Sequence, residues 1–200
     1  MRKYSKRICA MLVTAAFTAL CGCATSDFTD DRRQVLKTEF ELECSTKEIC
    51  WEKVLTGNPQ HPKFAIAVPP NMGIEFAVLA RKRFGNKVMI TRWDGYFVSR
   101  SQAVNPAFEQ ALAYDPFIVE IAPSQPAIER LMASGEEPLS TPVEVRVRTS
   151  TLERTFSTQA SAPKDRFFSS LSRAHKTLAP QIFDWMEREV RKTEKAKARN

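Results

Sequence analysis

Residues 63–93 read KFAIAVPPNMGIEFAVLARKRFGNKVMITRW, and how this stretch divides into elements decides the architecture. KFAIAV places Phe64, Ile66 and Val68 at every second position, the period of a strand. Pro69-Pro70 ends it, because proline has no N–H to offer a ladder. Asn71 can cap a helix through MGIEFAVLARKRFG; Arg81, Lys82 and Arg83 suit its C-terminus, and Gly85 stands where a C′ glycine belongs. IEFAVLA is also short and mostly apolar, so a strand competes with the helix there. KVMITRW then runs into Asp94-Gly95 and YFVSRS. Two β-prone runs around Asp-Gly predict a hairpin with a type I′ turn and a cross-strand pair of Trp93 and Tyr96. Trp93, Tyr96 and Phe97 form the candidate partner-contact site, since aromatic residues are enriched in binding hot spots. Their competing role is to pack the sheet against a helix.

Downstream, Asn105-Pro106 predicts a helix start over Ala107–Tyr114, with Asp115-Pro116 as its stop. FIVEIA reads as a buried strand, and Pro126 opens a short helix ending at Ser134-Gly135. PVEVRVRT alternates Val143, Val145 and Val147 with Glu144, Arg146 and Arg148, a strand with a salt-bridging polar face, and TLERTFSTQ is its hairpin partner. From Asp165 the apolar residues Phe167, Phe168, Leu171, Ala174, Leu178, Ile182, Phe183, Met186 and Val190 keep a helical period. Pro180 lies inside that stripe and predicts a kink, or a break into two helices near Leu178. After Val190 the stripe stops, and residues 191–200 read as a disordered basic tail. The mixture of hairpins and helices predicts a single α+β domain over residues 35–190, with antiparallel hairpins packed against helices and a long kinked C-terminal amphipathic helix.

Upstream, TEFELEC alternates Phe40, Leu42 and Cys44 with Glu39, Glu41 and Glu43, which predicts a strand. Before it, ATSDFTDDRRQ is polar and reads as a tether, so that residues 23–34 link an anchor to the domain. The anchor is read from residues 1–22. Arg2, Lys3, Lys6 and Arg7 form a positive n-region, and Ile8–Leu20 follows as 13 uncharged residues. A spanning helix needs about 20 apolar residues, so this run has the length of a signal-peptide core instead.

Leu20-Cys21-Gly22-Cys23 resembles the lipobox of bacterial lipoproteins: an aliphatic residue, a small one, Gly or Ala, then the cysteine that is acylated. The resemblance implies cleavage after Gly22, lipid on Cys23 and a firm anchor of several acyl chains. Cys21 is an unusual occupant of its lipobox position. With Ala24 rather than Asp next to the lipidated cysteine, the resemblance implies sorting to the outer membrane, facing the periplasm. AIAVPPN, FAVLARKRFGNKVMI and GYFVSR also loosely resemble the opening β-α-β unit of some envelope-assembly lipoproteins, over about forty residues and without the long loop those families place after the asparagine. Some small lipoproteins of conjugation and secretion machines carry a cysteine pair soon after the lipidated one, as here.

Of the five cysteines, the lipobox resemblance implies that Cys9 and Cys21 leave with the signal and that Cys23 takes lipid. Cys44 and Cys50 remain, and an oxidising compartment makes them a disulfide candidate. Two Cys and two His, His61 and His175, are too few and too scattered for a zinc site. The formal charge of +7 falls to +3 without the four positive charges of the signal. Charge is uneven: residues 24–50 carry seven acids and four bases, residues 151–200 eleven bases and six acids. No aromatic-basic platform for nucleic acid is present. No Gly-x-Ser-x-Gly elbow and no glycine-rich phosphate loop occur. Cys50 with His61 could be posed as a nucleophile pair, but a disulfide would remove the thiolate. His175 is expected as a polar tip at the rim of the core, and Asp184, Glu187 and Glu189 as i,i+4 partners of nearby bases. No cofactor is expected. Three functions follow: a non-catalytic binding or assembly component among envelope proteins, a carrier of a lipid or other apolar ligand held between the sheet and the C-terminal helix, and, last, a hydrolase built around His61 or His175.

Overall fold

Strand, helix and strand follow one another through residues 63–93, and the two strands lie side by side and parallel. The computed structural model describes residues 28–93 and 106–199. Its elements are α1 (Asp30–Phe40), α2 (Lys47–Thr56), β1 (Phe64–Val68), α3 (Ile74–Phe84), β2 (Val88–Arg92), α4 (Pro106–Leu112), β3 (Phe117–Ala122), α5 (Gln125–Ala133), β4 (Leu139–Arg148), β5 (Glu153–Ala162) and α6 (Phe167–Lys197). One mixed sheet runs β2-β1-β3-β4-β5. β1 is parallel to both β2 and β3, and β3, β4 and β5 are antiparallel in turn. The class is α+β, as expected.

Helix prevails over strand in 74–84 because its apolar residues surround a buried face: Ile74, Phe76, Ala77, Ala80 and Phe84 are all in the core. Gly85 follows with φ 56°, the backbone region that favours glycine. The helix begins at Gly73 rather than at Asn71. A Cβ at Gly73 would sit 2.4 Å from the Pro69 carbonyl oxygen, so the β1–α3 turn closes only around glycine. β2 therefore finds its neighbour in β1, across α3. The Asp94-Gly95 turn, the YFVSRS strand, Tyr96 and Phe97 lie outside the described residues, as do residues 1–27 with Cys23.

Three expectations need correction. TEFELEC is not a strand: Thr38–Phe40 is the end of α1, and Glu41 leaves it with φ 58°. The buried residues Arg32, Val35, Leu36 and Phe40 have helical spacing, and this longer pattern outweighs three alternating residues. Residues 30–34, read as part of a tether, are the first turns of α1, capped by Thr29. Residues 191–197, read as a disordered tail, continue α6, and Glu194 there meets Lys63 at 3.5 Å.

α6 is one continuous helix with Pro180 inside it, so the break near Leu178 does not occur. Pro180 and Lys176 are both on the exposed side, where water can hydrate the carbonyl that the proline leaves without an N–H. The buried side packs aromatic rings against the sheet and α3. Phe183 meets Phe76 at 4.9 Å and Phe84 at 5.1 Å, and Trp185 meets Phe117 at 5.8 Å. These rings fill the space between helix and sheet. On the other face of β1 and β2, Ala65 and Met89 pack on Ala111 of α4. The long β4–β5 hairpin pairs ten residues without a bulge. Val143, Val145 and Val147 point into the core, while Arg146 binds Glu153 at 2.7 Å and Arg148 binds Glu120 at 3.0 Å on the outer face, as the alternation predicts.

Candidate functional site

The strongest concentration of polar chemistry is buried between three helices. α1 brings Arg32 in its first turn, α3 brings Glu75 in its first turn, and α6 brings Ser172 and His175 at helical spacing. Arg32 Nε donates to Glu75 Oε1 at 2.7 Å and Arg32 Nη2 to Glu75 Oε2 at 2.8 Å, a bidentate pair. Arg32 Nη1 donates to the Asn71 carbonyl at 2.9 Å, and Ser172 Oγ donates to Glu75 Oε1 at 2.8 Å. Asp31 accepts from the Ser169 N–H at 2.9 Å and from its hydroxyl. All four central residues are 2 % exposed or less.

The electrostatics follow from that burial. Desolvation pushes the Glu75 carboxyl up, but the charge and hydrogen bonds of Arg32 outweigh it and hold the group below the ordinary carboxylate range. Desolvation pushes the His175 imidazole down; Glu75 opposes the shift and Arg32 adds to it. Neither ring nitrogen of His175 has a hydrogen-bond partner among the described residues. The imidazole is therefore neutral at pH 7.

Ser172, His175 and Glu75 are the residue types of a hydrolase, yet the arrangement lacks its geometry. Ser172 donates to Glu75 rather than to His175, and all three side chains are buried, out of reach of a substrate in solvent. A nucleophile must be within reach of both its base and its substrate. What the cluster does is clamp the starts of α1 and α3 and the first turns of α6 to one another. The expectation of His175 at the rim of the core is corrected: it is inside. His61 is exposed in the α2–β1 loop, so the two histidines do not share a site. Cys44 and Cys50 are disulfide-bonded, with Cα atoms 5.3 Å apart, and Cys50 is buried. The thiolate that a Cys50–His61 pair needs is thus absent.

A cleft of about 250 Å³ opens at the other end of the sheet, between the start of β1, the α4–β3 turn, the β4–β5 turn and the last turns of α6. Its carboxylates already have partners: Glu194 with Lys63, Glu189 with Lys192, and Asp115 with the N–H and hydroxyl of Ser150. It lies at the N-terminal ends of β1 and β3, whereas open sheets with parallel strands bind ligands at the C-terminal ends. Of those C-terminal ends, that of β1 is occupied from within. The β1–α3 turn receives Trp51 Nε1 on the Pro70 carbonyl at 2.8 Å and Lys47 Nζ on Asn71 Oδ1 at 2.9 Å. Among the described residues no group of His, Cys, Asp and Glu is placed to hold a metal ion.

Trp93, the one described member of the aromatic trio, follows β2, donates its N–H to the Val68 carbonyl, and lies 5.4 Å from the Arg148 guanidinium. Asp184 and Glu187 meet Arg83 of α3 rather than only bases of their own helix, although Glu187 also reaches Arg191 four residues on. Sequence reasoning missed Arg32 and Glu75. The signal was present for Glu75: a single acid inside MGIEFAVLA, with apolar residues on both sides, needs a buried cation. Nothing local marks which of the bases in DDRR supplies it. The chain matches no protein-family model, no curated protein and no solved structure, so the case for its function rests on its own residues.

Proposed function

We propose that the chain is a lipid-anchored envelope protein, a non-catalytic binding or assembly component held through acylated Cys23 at the outer membrane and facing the periplasm. One observation carries the reading: the basic n-region, the 13-residue uncharged run and Leu20-Cys21-Gly22-Cys23 in succession. Two features of the fold favour it. The Cys44–Cys50 bridge suits an oxidising compartment, since disulfides are rare in reducing ones. Phe28 already packs on the core, which leaves Ala24–Asp27 as the link to Cys23, with a reach of roughly 14 Å. The folded body is thereby held against the bilayer, where a docking protein meets neighbours anchored in the same leaflet.

The filled space between α6 and the sheet favours assembly over transport of an apolar ligand, because Phe76, Phe84, Phe183 and Trp185 occupy the volume a carrier needs. Membership of a conjugation or secretion apparatus is a narrower form of the same proposal. The test is metabolic labelling with palmitate in cells treated with or without globomycin, alongside Cys23→Ala. The expected result is label and membrane association in the parent and neither in the variant. Unchanged label and fractionation in Cys23→Ala would sink the reading.

A further inference from the structure

β5 is the last strand of the sheet, and among the described residues its outer edge is open along most of its length. The Ser161 N–H donates to Ser170 Oγ at 3.0 Å, and the same hydroxyl donates back to the Ser161 carbonyl at 3.2 Å. In an antiparallel strand the N–H and C=O of one residue point to the same side, and the side alternates. Ser161 therefore fixes the parity. Glu153, Thr155, Ser157 and Gln159 direct their backbone groups outward, while Arg154, Phe156, Thr158 and Ala160 bond β4. Among the described residues, no backbone partner meets Thr155, Ser157 or Gln159 on that side.

Natural edge strands are guarded by lysines, prolines, bulges or short length. β5 has none of these between Thr155 and Gln159: it is ten residues long, pairs in unbroken register and reads TFSTQ, uncharged and β-prone. The side chains of Thr155, Ser157 and Gln159 are exposed. Among the described residues, the edge is closed only at its C-terminal end, by Ser170.

The geometry points to a second copy of this chain as the occupant, its β5 added antiparallel across a two-fold axis through Ser157. In that register Thr155 faces Gln159 of the second copy, Ser157 faces Ser157, and each of these pairs exchanges both N–H···O bonds. The alternate pairs are Phe156 with Thr158 and Arg154 with Ala160. Aromatic–β-branched and hydroxyl pairs stabilise such ladders, and like charges directly opposite oppose them. This register creates no like-charge pair, so the strand is its own complement. The interface is isologous and closed, as in most homodimers. The axis stands perpendicular to the sheet, so the α1, α3 and α6 layers of both copies lie on one side. Phe28, where the described chain begins, packs on that core, so it lies on the same side in both copies. The pairing itself does not depend on lipidation.

The test uses the full-length chain in detergent and in membranes. Ser157→Cys puts two thiols on Cα atoms about 5.5 Å apart, within disulfide reach. Under mild oxidation it is expected to give a covalent dimer. Thr155→Cys combined with Gln159→Cys is expected to do the same, and Glu144→Cys, exposed on β4, is not. Ser157→Lys sets two ammonium groups across the axis and should raise the dimer dissociation constant about tenfold, with an unchanged circular dichroism spectrum. Light scattering that shows a monomer at all concentrations, with the Ser157→Cys variant no more crosslinked than Glu144→Cys, overturns the proposal. So does crosslinking from position 157 in intact cells that captures only a different protein.

Discussion

Arg32 and Glu75, 43 positions apart, form a two-bonded ion pair in which each side chain is 1 % exposed. The pair ties the helix that follows the proposed anchor to the β-α-β unit. A buried pair of this kind contributes little against an apolar replacement, because both ions lose hydration. Removing one partner is different, since it strands the other charge in the core. Arg32→Ala is expected to destabilise the fold by about 3–5 kcal/mol, whereas Arg32→Met combined with Glu75→Leu costs far less. Urea unfolding of the two variants measures the difference. Equal losses would show that packing, not charge, dominates there.

Acid should act through the same cluster. The His175 value is depressed in the fold, so the unfolded chain binds its proton first. Its contribution is complete above the unfolded value of 6.5 and declines as pH falls below it. Glu75 is depressed as well, and its contribution is present above 4.5 and lost as pH falls further, through its folded value. Unfolding free energies are expected to decline in two stages between neutral and strongly acidic pH. His175→Leu should flatten the stage just below pH 6.5 and leave the lower one. A variant that retains the full slope there would assign it to another group.

The Cys44–Cys50 bridge closes a short loop beside the β1–α3 turn. Loop-closure entropy for so few residues gives about 2 kcal/mol. Cys44→Ser with Cys50→Ser, or reduction of the parent, is expected to lower stability by that amount without unfolding the chain at room temperature. Thermal melts with and without reductant read it directly.

Gly73 is held by contact rather than by backbone angle, since its φ is −100°. An added Cβ meets the Pro69 carbonyl oxygen at 2.4 Å and Val68 Cβ at 2.9 Å. Gly73→Ala should therefore cost about 1–3 kcal/mol by overpacking, although alanine is the better helix former. A neutral or stabilising result in chemical denaturation would mean that the turn opens freely.

Much of the fold was legible where one segment carries its own pattern. β3, the β4–β5 hairpin, α5 and the long apolar stripe of α6 all follow from local periodicity and turn residues. The errors lie where two patterns competed over few residues. TEFELEC alternates for six positions, but Phe40 belongs to a helical face that starts at Arg32. KVMITRW looks like half of a hairpin, yet its described neighbour is a strand that precedes it, across α3. Pairing partners are a property of the sheet, and β-prone residues are equally content in parallel and antiparallel ladders. His175 was read at the rim because imidazole is polar, and only the packing of α1 and α3 over α6 closes that rim.

The sequence by itself determined the composition of each element, the α+β class and the cysteine pair available for a bridge, because these depend on neighbours within a few positions. Tertiary structure alone decided that β1 runs parallel to β2 and β3, that Arg32 is a core residue, and that β5 ends the described sheet with an open edge. The physical reason is common to all three. Desolvation of a charge and satisfaction of a backbone edge depend on what is brought alongside from far away in the chain, and no local spacing records it.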